Sequence, residues 1–233
     1  MSPIKKLKER IWRCNMELPK RGLARGTFGN VSGIDRDRGV FVIKPSGIPY
    51  DELTADMMVV VGLDNTIVEG NYRPSSDTKS HSVLYRNFLT IGGIAHTHST
   101  YSTAWAQANK SIPCLGTTHA DYLSTAVPCT NVIGDEQIKL DYETETGTQI
   151  IKYFKEMNLS YEQVEMVLVA YHGPFTWGKT PEEAVNNSTI LEEIAKLAIL
   201  TSSINPEAAA IKQTLINKHY LRKHGEDAYY GPK

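Results

Sequence analysis

Apolar residues along this chain follow two periods, and the way they alternate outlines a layered α/β protein. Near the N-terminus, Ile4, Leu7, Ile11, Cys14 and Leu18 recur at helical spacing, with Ser2 placed to cap the segment and Pro3 at its first position. Lys5, Lys6, Lys8 and Arg10 fall mostly off that stripe and read as a solvated face. Short strand-like runs follow at 39–43, 57–61 and 67–68, each bounded by Gly, Pro, Asp or Asn. Segments 22–33 and 44–47 between them read as loops.

Farther on, the pattern predicts a helix over 77–88, a strand over 91–97 and a helix over 101–108. Residues 164–171 are nearly all apolar, as in a strand covered on both faces. Thr180 and Glu183 make a capping box with Pro181 at the first helical position. The helix they open carries Ala184, Leu191, Ile194, Ala195 and Ala198 on one face, and a last helix is expected from Pro206 onward. Strands mixed with helices, some close enough for hairpins, favour an α/β domain with a mixed sheet. No repeat or linker divides the chain, so residues 1–233 are expected to form one domain.

Composition narrows the partners. Lys and Arg number 25 against 26 Asp and Glu, for a net charge of −1, and 41% of the 233 residues are hydrophobic. Those values exclude collagen-like, disordered and disulfide-scaffold classes, and the length suffices for a core without a metal or disulfide staple. Nucleic-acid binding leans on a basic footprint that this chain lacks, so no nucleic-acid partner is expected. Cys14, Cys114 and Cys129 are scattered, with no CxxC pair, as suits a reducing compartment. The basic N-terminal stretch has no apolar core behind it, and the apolar runs fall far short of the ~20 residues of a membrane helix. A cytoplasmic protein without a membrane partner is the expectation.

Chemistry concentrates first in His96-Thr97-His98, at the end of an apolar strand that follows Gly92-Gly93. Residues two apart on a strand share a face, so two imidazoles converge there without backbone distortion. His172, at the end of the apolar run and before Gly173-Pro174, is one candidate for a third metal ligand. His119 in a loop is another, and His81, four residues after Asp77 on a helix, is a third. Three imidazoles would leave an open coordination position, as catalytic zinc sites do.

Residues 173–180 match the GxxxxGK[ST] expression of a phosphate-binding loop, and the match is rejected on physical grounds. Such a loop needs consecutive N–H groups wrapped around phosphate, whereas Pro174 has none, Phe175 and Trp177 are bulky, and Pro181 removes another donor. Small polar turns suit a phosphorylated ligand better: Gly29-Asn30, Lys44-Pro45-Ser46-Gly47 and Ser75-Ser76-Asp77. Ser75-Ser76 at a helix start could present N–H groups to an anion, and each turn can equally be an ordinary cap.

Together these motifs resemble the class II aldolase family, most closely its L-ribulose-5-phosphate 4-epimerase branch, over essentially the whole chain. The markers run in order: residues 27–32 (TFGNVS), 44–47 (KPSG), 73–78 (RPSSDT), 96–99 (HTHS), 116–122 (GTTHADY), 172–175 (HGPF) and the tail from Asn217 to Gly231. Phe28 stands where Trp would be expected, an aromatic exchange that leaves the resemblance intact.

The resemblance implies a three-layer α/β/α sandwich with a mixed, largely antiparallel central sheet. It also implies one divalent metal per subunit, Zn2+ with Mn2+ or Co2+ as alternatives, on His96, His98 and His172 with Asp77 beside it. Gly29, Asn30, Lys44, Ser46, Gly47, Ser75, Ser76, Thr117 and His219 become contacts to substrate and phosphate. Asp121 and Tyr230 become the acid/base pair, with Asp77 a further catalytic residue, in a homotetramer whose sites lie at subunit interfaces. The implied activity interconverts L-ribulose 5-phosphate and D-xylulose 5-phosphate, a phosphorylated ketopentose pair, by retro-aldol cleavage and re-addition at C3–C4. An aldolase of the L-fuculose-1-phosphate type is the close alternative, distinguished by Asp77 where such aldolases carry Glu. A non-catalytic metal or sugar-phosphate binding protein is the remote one.

Overall fold

The computed structural model describes residues 2–225, 228 and 229. Helix α1 (Pro3–Lys20) begins as its residues dictate, with Ser2 Oγ accepting from the Lys5 N–H and Pro3 in the first turn. Its apolar stripe buries Ile11, Cys14 and Leu18. Asn15, fully buried on that stripe, bonds the Val31 backbone through both ends of its amide, Nδ2 to the carbonyl at 2.9 Å and Oδ1 from the N–H at 2.8 Å. A polar group there is tolerated because every bond it needs is made, and it clamps α1 to the strand that carries Asn30.

Seven strands form one sheet in the order β4-β3-β2-β1-β5-β7-β6. They are β1 (Asn30–Asp35), β2 (Val40–Ile43), β3 (Val59–Gly62), β4 (Ile67–Glu69), β5 (Gly93–His96), β6 (Met166–Val169) and β7 (Gly173–Gly178). All six ladders are antiparallel, and the mixed character expected from sequence shrinks to one isolated parallel bridge, Cys129 to Leu168.

Side chains alternate across this sheet and feed two apolar clusters. Phe41, Ile43, Val59 and Val61 face the first, with α2 (Thr78–Asn87) and α5 (Asp135–Glu156). Val40, Val42 and Val60 face the second, with α1. Helix α6 (Pro181–Ile204) serves both, Ala184 and Val185 in the second cluster and Leu191, Ile194 and Ala195 in the first. Helices thus cover both faces, giving the three-layer sandwich. Gly92 and Gly93 permit the closest approach: a Cβ on Gly93 would lie 2.3 Å from Pro181 Cα.

Helix α3 (Thr100–Gln107) lies where predicted. Three features differ from the sequence reading. Residues 30–33, the end of the segment read as a loop, belong instead to the central strand β1. Residues 173–178, weighed as a phosphate loop, form the fully buried β7, whose backbone is committed to ladders and cannot wrap an anion. The 22-residue α5 has no counterpart in the prediction; its exposed first part meets a break at Asp141 (φ −164°, ψ 84°) before the buried half begins. The short α4 (Thr117–Ala120) and α7 (Gln213–His224) complete the chain, α7 starting seven residues after Pro206. Among the described residues no helix is long and apolar enough to cross a membrane.

Candidate metal centre and anion cradle

Sheet register assembles the site. Asn30 pairs with His96 across β1 and β5, and His96 pairs with Phe175 across β5 and β7. The His96 ring stacks on Phe175 with centroids 4.2 Å apart, and its Nδ1 lies 2.9 Å from the Pro174 carbonyl. That contact makes Nδ1 the protonated nitrogen and leaves Nε2 as a lone-pair donor. Nε2 lies 3.2 Å from His98 Nε2. The turn between β6 and β7 swings His172 against both rings, with centroids 4.6 Å from His96 and 5.1 Å from His98. Tyr171 adopts φ 60° to make that turn, a conformation bulky residues rarely take.

One nitrogen from each of His96, His98 and His172 lies within 4.8 Å of the others. Burial pushes His98 down to about 4 and His172 to about 3, so both rings are neutral near pH 7, the form that ligates. Closely packed imidazoles, one oriented by a carbonyl behind it, fit a divalent ion. His81 and His119, the competing candidates, are not part of that cluster; His81 Nδ1 lies 2.7 Å from Ser32 Oγ, and His119 Nε2 lies 2.9 Å from the Thr125 carbonyl.

Asp77 stands at the N-cap position of α2 beside the imidazoles, its carboxylate turned away from the helix to accept from Asn30 Nδ2 at 2.7 Å. Burial pushes its carboxyl up, but His96, His81 and His172 together with the Asn30 amide outweigh that and hold it below the usual carboxylate range. Asn30 Oδ1 is buried with no hydrogen-bond partner among the described residues, an acceptor left for a ligand.

A pocket of about 300 Å³ joins these groups to Gly29, Lys44, Ser46, Gly47, Ser75 and Ser76. Two loops build its far wall, Ser46 N–H donating to the Arg73 carbonyl and Ser75 N–H to that of Lys44. Ser75 thus spends its N–H within the protein, contrary to its expected offer to an anion. Among the described residues the Gly47 and Ser76 N–H groups have no protein acceptor. Lys44 is buried, donates from Nζ to the Ile48 carbonyl at 2.7 Å, and is pushed down to about 8 by that burial. The pocket therefore combines a cation donor set, an amine and backbone donors within the span of one small phosphorylated molecule. A groove of about 450 Å³ between α1 and α6, with Trp12, Cys14 and Met16, contains no imidazole.

Three expected site residues lie apart from that pocket. Thr117 and Asp121 bracket α4 and His219 is on α7. The Asp121 carboxylate accepts from His219 Nδ1 and from Arg222, which sequence reasoning had not singled out. Tyr230 lies outside the described residues. Ser32 and Tyr50 carry no local signal as supports of the site, because each works through contacts distant in sequence, and His81, read as a possible ligand, instead supports Ser32.

Residues 9–199 match the family described as Class II Aldolase and Adducin N-terminal domain, and the chain belongs to that family. Within it, the chain is 49% identical over 230 residues, 99% of its own length and 100% of the relative's, to the L-ribulose-5-phosphate 4-epimerase UlaF of Salmonella paratyphi C (strain RKS4594). The protein of the same description from Salmonella choleraesuis (strain SC-B67) matches equally. Among solved structures, an L-fuculose 1-phosphate aldolase shares the fold with a TM-score of 0.79 at 23% identity, covering 96% of this chain and 98% of that one. YgbL of Klebsiella pneumoniae, described as a putative aldolase/epimerase/decarboxylase, aligns with a TM-score of 0.71 at 25% identity over 94% of this chain and 99% of that one.

Proposed function

We propose that this chain is a metal-dependent L-ribulose-5-phosphate 4-epimerase, interconverting L-ribulose 5-phosphate and D-xylulose 5-phosphate. The observation that carries the reading is the meeting of the three-histidine donor set and the Lys44–Gly47–Ser76 cradle in one pocket. The whole-chain likeness to proteins named for that activity supports it.

The carbon to be inverted carries no acidic hydrogen, so simple deprotonation cannot epimerise it. Cleaving C3–C4 by retro-aldol reaction and re-adding after the aldehyde turns over provides a route. A divalent ion, zinc by preference for three imidazoles, would supply Lewis-acid charge for the fragment that gains electrons. Lys44 with the Gly47 and Ser76 N–H groups would hold the phosphate while the aldehyde end rotates. Asn30 Oδ1 would accept from a substrate hydroxyl, and Asp77 would keep Asn30 and the imidazoles oriented. Asp121 and Tyr230 would exchange the C4 hydroxyl proton from opposite faces. Asp121 lies away from its own chain's pocket, so it would act on a neighbouring copy in a homotetramer, with the enzyme working in the cytoplasm.

The test supplies metal-loaded protein with L-ribulose 5-phosphate, with and without a chelator. D-xylulose 5-phosphate should form only without the chelator, and its absence from the loaded sample would sink the reading. Structural likeness to an L-fuculose 1-phosphate aldolase favours a second reading, release of the two fragments. Asp77 where those aldolases carry Glu speaks against it, and accumulation of free aldehyde would restore it.

A further inference from the structure

We propose that Tyr50 is a positioning residue that locks the two arms of the phosphate cradle to each other, its hydroxyl holding the Phe28–Gly29 arm and its ring supporting Lys44 on the other. This rests on the reading of the pocket as a phosphate site. Tyr50 is only 6% exposed, and its Oη lies 2.9 Å from both the Phe28 and the Gly29 carbonyl. A phenol has one proton, so the two carbonyls share it, and the pair is held as a unit.

That arm has little else to fix its shape. Gly26 and Gly29 both take positive φ, 58° and 76°, and Gly29 lies so close to β5 that a Cβ there would sit 3.0 Å from the His96 carbonyl. Glycine supplies the turn and the close approach at the cost of stiffness. The Tyr50 hydroxyl restores that stiffness next to Asn30. Phe28, 62% exposed, is thereby kept at the pocket mouth with its ring 6.1 Å from that of His98.

The ring of Tyr50 serves the other arm. Lys44 Nζ stands 5.0 Å from the ring centroid, and no carboxylate forms an ion pair with it among the described residues. A buried ammonium without a counter-charge depends on carbonyls and an aromatic face until an anion arrives. One side chain therefore fixes where Lys44 and the Asn30 arm stand relative to each other.

Tyr50 also belongs to the apolar cluster under α1, so the test must separate packing from positioning. Tyr50→Phe keeps the ring and removes the shared hydrogen bond, whereas Tyr50→Leu also removes the cation–π face. In metal-loaded protein, Tyr50→Phe should raise KM for L-ribulose 5-phosphate, and Ki for inorganic phosphate as competitor, by about tenfold. Its kcat should stay within about twofold and its Tm near that of the parent. Tyr50→Leu should in addition move the alkaline rise of KM to lower pH, because Lys44 loses its aromatic support.

Unchanged KM and Ki in Tyr50→Phe would overturn the inference, as would a parallel fall in kcat, metal content and Tm. Lys44→Met separates the two levels. If Lys44→Met weakens phosphate binding and the Tyr50 variants do not, Tyr50 has no positioning role and the phosphate site stands. If Lys44→Met leaves phosphate binding unchanged, the phosphate site itself is wrong, and this inference falls with it.

Discussion

Arg222 forks onto Asp121 across 101 residues of sequence, Nε reaching Oδ1 at 3.0 Å and Nη2 reaching Oδ2 at 2.8 Å. His219 Nδ1 adds a third contact to Oδ1 at 3.0 Å, so α7 is held against the end of α4 by one carboxylate. Burial pushes that carboxyl up, but the Arg222 and His219 contacts outweigh it and hold it below the usual range. Asp121 is therefore ionised near neutral pH, the state a proton acceptor requires.

Removing Arg222 lets the Asp121 pKa rise, and the acid limb of the pH–rate profile should rise with it. Arg222→Met also frees the Asp121 carboxylate from its fixed orientation and is expected to lower kcat by about tenfold, short of the ~10²–10⁴ that loss of a general base costs, with metal content unchanged. A profile whose acid limb stays in place would show that Asp121 takes no part in the rate-limiting proton transfer.

Chelation should separate chemistry from folding. The two apolar clusters form from residues 11–198 without the three clustered imidazoles, so folding should not require an ion. Stripping metal should abolish turnover, lower Tm only by the lost binding energy, and leave the far-UV circular dichroism spectrum in place. His172→Asn should cut metal stoichiometry in an elemental assay, and full retention of metal would remove His172 from the donor set.

Lys44, if it holds the phosphate as proposed, should give the substrate affinity an alkaline limit. Burial lowers its pKa to about 8, so it is mostly charged at pH 7 and loses that charge as pH passes 8. KM for the phosphorylated substrate should rise from about pH 8 upward while kcat holds, and the rise should vanish in Lys44→Met, whose KM is high throughout. A KM independent of pH between 7 and 9.5 in the parent protein would refute the assignment.

Gly93 is a structural counterpart. A Cβ there would meet Pro181 Cα at 2.3 Å and Pro181 N at 2.5 Å, both backbone atoms that cannot swing aside. Gly93→Ala must push α6 away from β5 and should cost about 2–3 kcal/mol or more in urea unfolding. A loss under about 1 kcal/mol would mean that the layers have slack at this crossing.

What could be read from sequence divides along the range of the contacts. His96 and His98 stand out because a period of two on an apolar strand is a local signal, whereas that pattern leaves His172, His119 and His81 open as the third partner and only the family resemblance selects His172. The 30–35 strand does not stand out, since its core-facing Ser32 looks like a loop residue until His81 and Tyr85 are seen to satisfy its hydroxyl. The 173–178 strand hid behind its Gly, Pro and Lys-Thr punctuation. Pro174, unable to donate, instead accepts through its carbonyl from Thr97 N–H and from His96. The first half of α5 is exposed and carries no apolar stripe to reveal it. Asp121 was named from a motif, but the Arg222 that governs it is set by how α7 docks, which no local pattern encodes.

His81 should make stability fall with acid. Its ring is fully buried, Nδ1 lying 2.7 Å from Ser32 Oγ, which in turn lies 2.8 Å from Tyr85 Oη. Burial pushes His81 down to about 3, against a smaller opposing pull from the Asp77 carboxylate. An unfolded histidine titrates near about 6.5, so below that pH the unfolded chain takes up a proton that the folded chain refuses. The contribution is fully present above about pH 6.5 and declines by up to about 1.4 kcal/mol per pH unit toward pH 3. The Asp77 carboxyl is held below the usual carboxylate range. His98 and His172 are also pushed down by burial and steepen the slope, but they do so equally in a variant that alters only His81. His81→Asn keeps a nitrogen near Ser32 and cannot titrate. Urea unfolding of metal-free parent and variant at pH 7.5, 6 and 4.5 should give a parent slope steeper by about 1 kcal/mol per pH unit below pH 6. Parallel slopes would mean that His81 accepts its proton within the fold, and that the His81–Ser32–Tyr85 chain behind the site is open to water.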